Sequence, residues 1–286
     1  MSLNSIYLAA AKKAEKIRIQ LGKNSFDPLS IFDVCQSLDV TVRFCDINME
    51  GMYISQTSGK FPTILLSNQR PMPRRVYNCA HELGHHVFGH GSRIDMLSDH
   101  KTGTPSYNPE ERLVDTFAGI LLMPIASIHA EFKRRGWNLA TATQLNYYNI
   151  SCFFGVGYQT LVKHCLLNDL ISEGKANSLL KTTPAKLLKS IDGMALTPAP
   201  FKIIDGLSAP KTIDLEVNNY LFLPTGTSIE GDHLQPLSNS SVGEIFVAQK
   251  PGVIRVNNTK YDFGAFVRIQ NNNYVGLAEN RHLEND

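Results

Sequence analysis

Apolar residues recur at helical spacing across residues 4–22, with Ile6, Leu8, Ala9, Ala14 and Ile17 among them, and that period predicts a helix. Residues 27–38 predict a second. Asp27 is a capping residue type, Pro28 suits a first turn, and Leu29, Ile31, Phe32, Cys35 and Leu38 share one face. Residues 40–45 (VTVRFC) alternate and are β-branched, so they read as a strand; residues 51–55 and 61–66 read as a hairpin around Ser58 and Gly59. The free edge of such a sheet can take an extended peptide as an added strand, with a plain covering sheet as the alternative.

The strongest helical period lies in residues 74–90 (RRVYNCAHELGHHVFGH), where Val76, Cys79, Ala80, Leu83 and Val87 fall on one face. A further helix is predicted in 108–124. Asn108 is an N-cap residue, Pro109 suits the first position, Pro124 marks the end, and Leu113, Val114, Phe117, Ala118, Leu121 and Leu122 form its inner side. Between them, residues 91–107 are polar, carry turn formers and read as a loop that could act as a lid. Residues 142–171 predict a helix to Phe154, a turn at Gly155, Val156 and Gly157, and a helix from Tyr158 to about Asn168, an arrangement that resembles a helix-turn-helix. LTPAP, at residues 196–200, is a linker type. Beyond it, IDLEV, NYLFLP, GEIFVAQ, VIRV, YDFGAFVRIQ and YVGLA read as strands, with turns expected at Asn257-Asn258 and at 271–273.

These elements predict an α+β chain in three parts. Residues 1–135 form a domain of helices and a small sheet, 136–198 a helix-turn-helix-like segment with linker, and 199–286 a small all-β domain, a barrel or sandwich. The last part carries seven Lys and Arg against ten Asp and Glu, shows no catalytic constellation, and suits sensing, docking or a structural cap.

Composition narrows the picture little. The 286 residues are 43% hydrophobic and 19% charged, with a net charge of +2, the profile of an ordinary globular protein. That charge makes no case for a nucleic-acid or membrane partner. No apolar run nears the ~20 residues of a bilayer span, and the N-terminus lacks the apolar core of a signal peptide. Cys35, Cys45, Cys79, Cys152 and Cys165 are scattered without a C-x-x-C pair, as expected of reduced thiols in a cytoplasmic protein.

The chemistry concentrates in His81-Glu82-Leu83-Gly84-His85. At about 100° per residue, two histidines four apart lie about 40° apart on one helical face and can reach one metal ion. Glu82, on the shoulder of that face, reaches a water on the metal rather than the metal. Glu111 is the candidate third ligand, with Asp115 four residues on to orient a histidine; Glu110 is the alternative, although Val114 gives it no such partner. A capping box with Asn108 is the structural role open to Glu111. Two histidines and one glutamate would leave a coordination position of Zn2+ open, as catalytic sites do, and Mn2+ suits the same ligands. The other histidines nearby (His86, His90, His100) read as solvated. Tyr107 and His100 are both candidates to stabilise an oxyanion.

HELGHHVFGH, followed by the E-x-x-x-D helix ending in LLMP, resembles the ImmA/IrrE metallo-endopeptidases over about residues 5–135. The resemblance implies that residues 1–135 are a zinc-peptidase-like domain, with zinc on His81, His85 and Glu111 and a general base at Glu82. It also implies a helix-turn-helix transcriptional repressor as the substrate, so that cleavage switches on stress, phage or mobile-element genes. One departure is visible: Val114-Asp115 stands where the family commonly has a small residue and Asn.

Two alternatives use other features. A DNA-binding regulator with a structural metal would present Tyr158, Gln159, Lys163 and His164 to a groove. One lysine is thin support where phosphate contact dominates affinity, and a packing or protein-docking role suits the charge better. The other alternative binds the repressor without cutting it.

Overall fold

The computed structural model describes residues 3–56, 61–95, 108–192, 196–208 and 210–283. In chain order the first elements are α1 (Leu3–Gln20), α2 (Ile31–Ser37), β1 (Thr41–Cys45), β2 (Gly51–Ile54), β3 (Thr63–Ser67), α3 (Met72–Phe88) and β4 (Arg93–Asp95). Next come α4 (Pro109–Leu122), α5 (Ile125–Arg134), α6 (Gln144–Phe154), α7 (Tyr158–Leu167), α8 (Glu173–Leu180) and α9 (Pro184–Asp192). The strands β5 (Phe201–Ile203), β6 (Thr212–Glu216), β7 (Tyr220–Leu223), β8 (Ser228–Ile229) and β9 (Leu234–Ser240) follow. The last are β10 (Gly243–Ala248), β11 (Gly252–Asn258), β12 (Phe263–Gln270) and β13 (Gly276–Leu277). The chain is a mixed α+β protein with two compact units, one of residues 1–127 and 273–280 and the other of 128–272 and 281–286.

The first unit holds a five-stranded sheet in the order β13-β1-β3-β2-β4. β2 and β3 pair antiparallel as the hairpin pattern predicts, though Ser58 and Gly59 lie outside the described residues, and β1 joins β3 in parallel. β2 is interior to the sheet, flanked by β3 and β4, so among the described residues the edge strands are β4 and β13. β13 pairs with β1, Arg43 opposite Leu277, which places YVGLA in this sheet rather than with the strands before it.

α2 begins at Ile31, later than Asp27 and Pro28 suggest. Asp27 is used in a local turn instead: Oδ2 accepts from the Asn24 amide at 3.0 Å, and Asn24 Oδ1 accepts from the amides of Phe26 and Asp27. Buried Arg18 of α1 then collects the Asn24 and Asp27 carbonyls at 2.9 Å and the Leu121 carbonyl of α4 at 2.6 Å. One guanidinium thus ties α1 to the end of the helix that carries Glu111.

By length and hydropathy Pro109–Arg134 reaches the size of a membrane span, contrary to the expectation that no apolar stretch does. In the fold it is α4 and α5, parted at Met123 and Pro124, and most of its apolar window is buried. Such a stretch is as expected of core helices.

The second unit contains two four-stranded sheets, β5-β7-β10-β9 and β6-β12-β11-β8. Both supply one core, with Ile213 and Leu215 of β6, Leu221 and Leu223 of β7, and Val267 and Ile269 of β12 among its buried residues. β9 has no alternating pattern to find in the sequence, because it is an edge strand exposed at Gln235, Pro236, Leu237, Ser238 and Asn239, where a proline is tolerated. Asn257 and Asn258 are not a turn; they end β11, and buried Asn258 donates to Thr227 Oγ1 at 2.9 Å. The reversal comes later, with Asp262 at φ 49°. α6 and α7 are joined through Gly155, at φ 68°. Tyr148 of α6 stacks on Phe201 with ring centroids 4.3 Å apart and donates to its carbonyl at 2.6 Å.

Candidate metal centre

α3 and α4 approach closely because Gly84 has no side chain. A Cβ at Gly84 would lie 2.8 Å from Val114 Cβ and 3.2 Å from a Phe117 ring carbon. That contact brings the first turns of α4 over the histidine face of α3. Asn108 caps α4 by accepting from the Glu110 amide at 3.0 Å.

Three ligand atoms converge. His81 Nε2 lies 3.2 Å from Glu111 Oε2, His85 Nε2 lies 3.6 Å from the same oxygen, and the two Nε2 atoms are 3.3 Å apart. Tetrahedral ligands at ordinary Zn–N and Zn–O bond lengths are separated by about 3.3–3.5 Å. The donor set and spacing therefore fit a zinc ion held by two imidazoles and one carboxylate. His81 and His85 are buried, whereas the Glu111 side chain is 35% exposed, so the cluster opens toward solvent on the α4 side. Glu110 is exposed and is not in the cluster.

Each histidine is held by its other ring nitrogen. With Nε2 unprotonated toward the cluster, His81 Nδ1–H donates to Asp115 Oδ1 at 2.9 Å. A carboxylate there fixes the tautomer and raises ligand basicity. The Tyr77 hydroxyl donates to the Asp115 carbonyl at 3.3 Å. Burial, with the Asp115 charge beside it, holds the Tyr77 phenol well above its usual pKa. His85 Nδ1 lies 3.1 Å from Nδ1 of His90, a residue read from the sequence as solvated. His86 points elsewhere: its Nδ1 is 2.8 Å from the Tyr53 hydroxyl on β2, and burial lowers its pKa.

Glu82 is 1% exposed and packs on β2. A Cβ at Gly51 would stand 2.6 Å from Glu82 Oε1, so the strand leaves room for the carboxylate only because that position is glycine. Glu50, the residue before it, is pinned to the same helix. Arg74 and Arg70 bind its Oε1 at 2.7 and 3.0 Å, and Asn78, one turn before Glu82, donates to its Oε2 at 2.8 Å. Glu50, Gly51, Asn78 and His90 carry no sequence signal without the fold.

The face proposed for nucleic acid divides. Gln159 and Lys163 are exposed, but Tyr158 is buried and donates to the Leu179 carbonyl at 2.9 Å, and His164 is buried. Tyr158 is therefore a packing residue of α7, and the expectation that it and His164 face a groove is corrected. His100 and Tyr107, the oxyanion candidates, and most of the 91–107 loop lie outside the described residues.

Residues 35–165 match the family model Peptidase_M78, described as the IrrE N-terminal-like domain. A search of curated proteins finds no match.

Proposed function

Through its domain at residues 35–165 the chain belongs to the ImmA/IrrE family of metallopeptidases, and on that premise we propose that it is a zinc-dependent endopeptidase. The observation that carries the reading is the convergence of His81 Nε2, His85 Nε2 and Glu111 Oε2 on one point of α3, with the Glu82 carboxylate buried one residue along the helix. His81, His85 and Glu111 would hold Zn2+, which would supply a Lewis acid for the scissile carbonyl and lower the pKa of water to about 7. Glu82 takes a proton from the attacking water and delivers it to the leaving amide nitrogen. Asp115 holds His81 in the liganding tautomer. Mn2+ is the alternative ion, since ligand type alone does not select between them.

The substrate in this reading is a helix-turn-helix transcriptional repressor in the cytoplasm, and its loss turns on stress, phage or mobile-element genes. That part rests on the likeness of HELGHHVFGH and the following E-x-x-x-D helix to the family. The second unit senses a signal or docks the repressor. The DNA-binding alternative keeps only Gln159 and Lys163 as exposed contacts, too little charge for phosphate-driven affinity.

The test is cleavage of the repressor encoded nearest the gene, by the metal-loaded protein and its Glu82→Gln variant. We expect a discrete product from the wild type, about 10²–10⁴-fold slower cleavage by the variant, and equal zinc content in both. Undiminished cleavage by zinc-loaded Glu82→Gln would sink the mechanism. A stable complex with both proteins and no product from either would favour binding without cleavage.

A further inference from the structure

α3 ends one residue after the site's last turn. Gly89 sits in the left-handed region at φ 71°, its amide bonds the His86 carbonyl at 3.2 Å, and the His90 amide bonds the His85 carbonyl at 3.0 Å. A Gly in that conformation is what lets a helix stop and fold back on its own last turn. The consequence is specific here, because the residue folded back is a histidine and the turn it meets carries a candidate metal ligand. The His90 ring stacks on Phe88, with centroids 5.9 Å apart and planes 21° apart, and Phe88 in turn packs edge-on against Phe117 of α4 at 5.7 Å. So backbone, ring stack and the α3–α4 contact all fix where His90 Nδ1 lies, 3.1 Å from His85 Nδ1.

Two Nδ1 atoms at hydrogen-bond distance share one proton. His85 Nε2 faces the cluster and must be bare to bind a metal, so its Nδ1 carries the proton and donates; His90 accepts through Nδ1 and keeps its own proton on Nε2. The two ligands are thus oriented by different groups: His81 by a carboxylate and His85 by a second imidazole.

We propose that His90 is a positioning residue for the metal centre, accepting the His85 Nδ1 proton and so fixing the ring plane and tautomer of that ligand. This rests on the metal-site reading above. Partners of this kind typically change metal affinity about tenfold to a hundredfold.

The experiment measures zinc affinity by competition with a chelating dye and records the visible absorption of the Co2+-loaded protein. His90→Phe keeps a ring on Phe88 and removes the acceptor. His90→Asn places an acceptor oxygen near the lost Nδ1. His90→Ala removes the acceptor without bulk, in case the Phe variant does not fold. We expect His90→Phe and His90→Ala to bind zinc about 10- to 100-fold more weakly, with an altered cobalt spectrum and an unchanged melting temperature of the metal-free protein. His90→Asn should recover most of the affinity. A His85→Ala control separates the two levels of the argument. If His85→Ala loses zinc while the Phe and Ala variants at 90 bind as tightly as wild type, the role of His90 is overturned and the metal site stands. If His85→Ala also binds as wild type, the metal-site reading fails and takes this inference with it.

Discussion

Gly51 limits what can stand behind Glu82. The carboxylate oxygen lies 2.6 Å from where a Cβ at 51 would be, and Glu82 is buried with no solvent side to retreat to. Gly51→Ala therefore has to move the carboxylate, the strand or both. Glu50 resists the second, because Arg74 and Asn78 hold its side chain to α3, and Arg70 binds it from the turn before that helix. The carboxylate moves, and a general base works only within hydrogen-bond reach of the proton it takes. A misplacement of about 1 Å at a reacting group costs up to ~10²-fold in rate. The expected result is a 10- to 100-fold fall in kcat for peptide cleavage, with zinc affinity near wild type, since the three atoms nearest the added Cβ all belong to Glu82. A variant that loses zinc and activity together would show that Gly51 supports the ligands rather than Glu82.

At the scale of elements, the site depends on how closely α3 and α4 pack, and Gly84 sets that distance. Its missing Cβ would fall 2.8 Å from Val114, the residue that stands where the family resemblance implies a smaller one. Gly84→Ala should cost about 1–3 kcal/mol of stability by overpacking and weaken zinc binding as Glu111 is carried outward with α4. Pairing it with Val114→Ala should return much of both losses, a coupling that denaturant melts and zinc titrations of the four-protein cycle would expose. Strict additivity of the two changes would mean the helices do not meet through this pair.

The grouping of His81, His85 and Glu111 was legible beforehand because it follows from helical spacing on two strongly periodic segments and needs only that the helices touch. What holds the ligands was not. His90 acts through a helix stop and a ring stack, Gly51 through a strand facing the helix, and Asp27 serves a turn that Arg18 reads rather than a cap. Each depends on contacts across elements, which a one-dimensional pattern does not carry. β9 carries no strand pattern and YVGLA reads as part of the C-terminal strands for related reasons: one is exposed along most of its length, and the other pairs with a strand more than 200 residues earlier.

At the scale of the whole molecule, the second unit closes on a charge cluster. Asp214 of β6 receives Arg268 at 2.7 and 2.8 Å and Arg281, itself buried, at 3.0 Å. Burial alone would raise the Asp214 pKa, but the charges of Arg281 and Arg268 outweigh it and hold the carboxyl well below the usual range. Asp205 is lowered too. Burial again opposes, and the bidentate contact from Arg135 at 2.7 and 2.9 Å prevails. A carboxylate whose pKa is depressed by folding stabilises the native state above its ordinary pKa, and that stability is lost as pH falls below it. Stability of this unit should therefore be flat near neutrality and decline below about pH 4. Asp214→Asn strips a partner from two buried or half-buried arginines, so it should cost about 3 kcal/mol near pH 7. The gap to wild type should then narrow as the solution is made acid, because the wild-type carboxylate is itself being neutralised. Urea melts of both proteins from pH 7 down to pH 2.5 decide the matter. A gap that stays constant across that range would mean the aspartate contributes through packing and not through its charge.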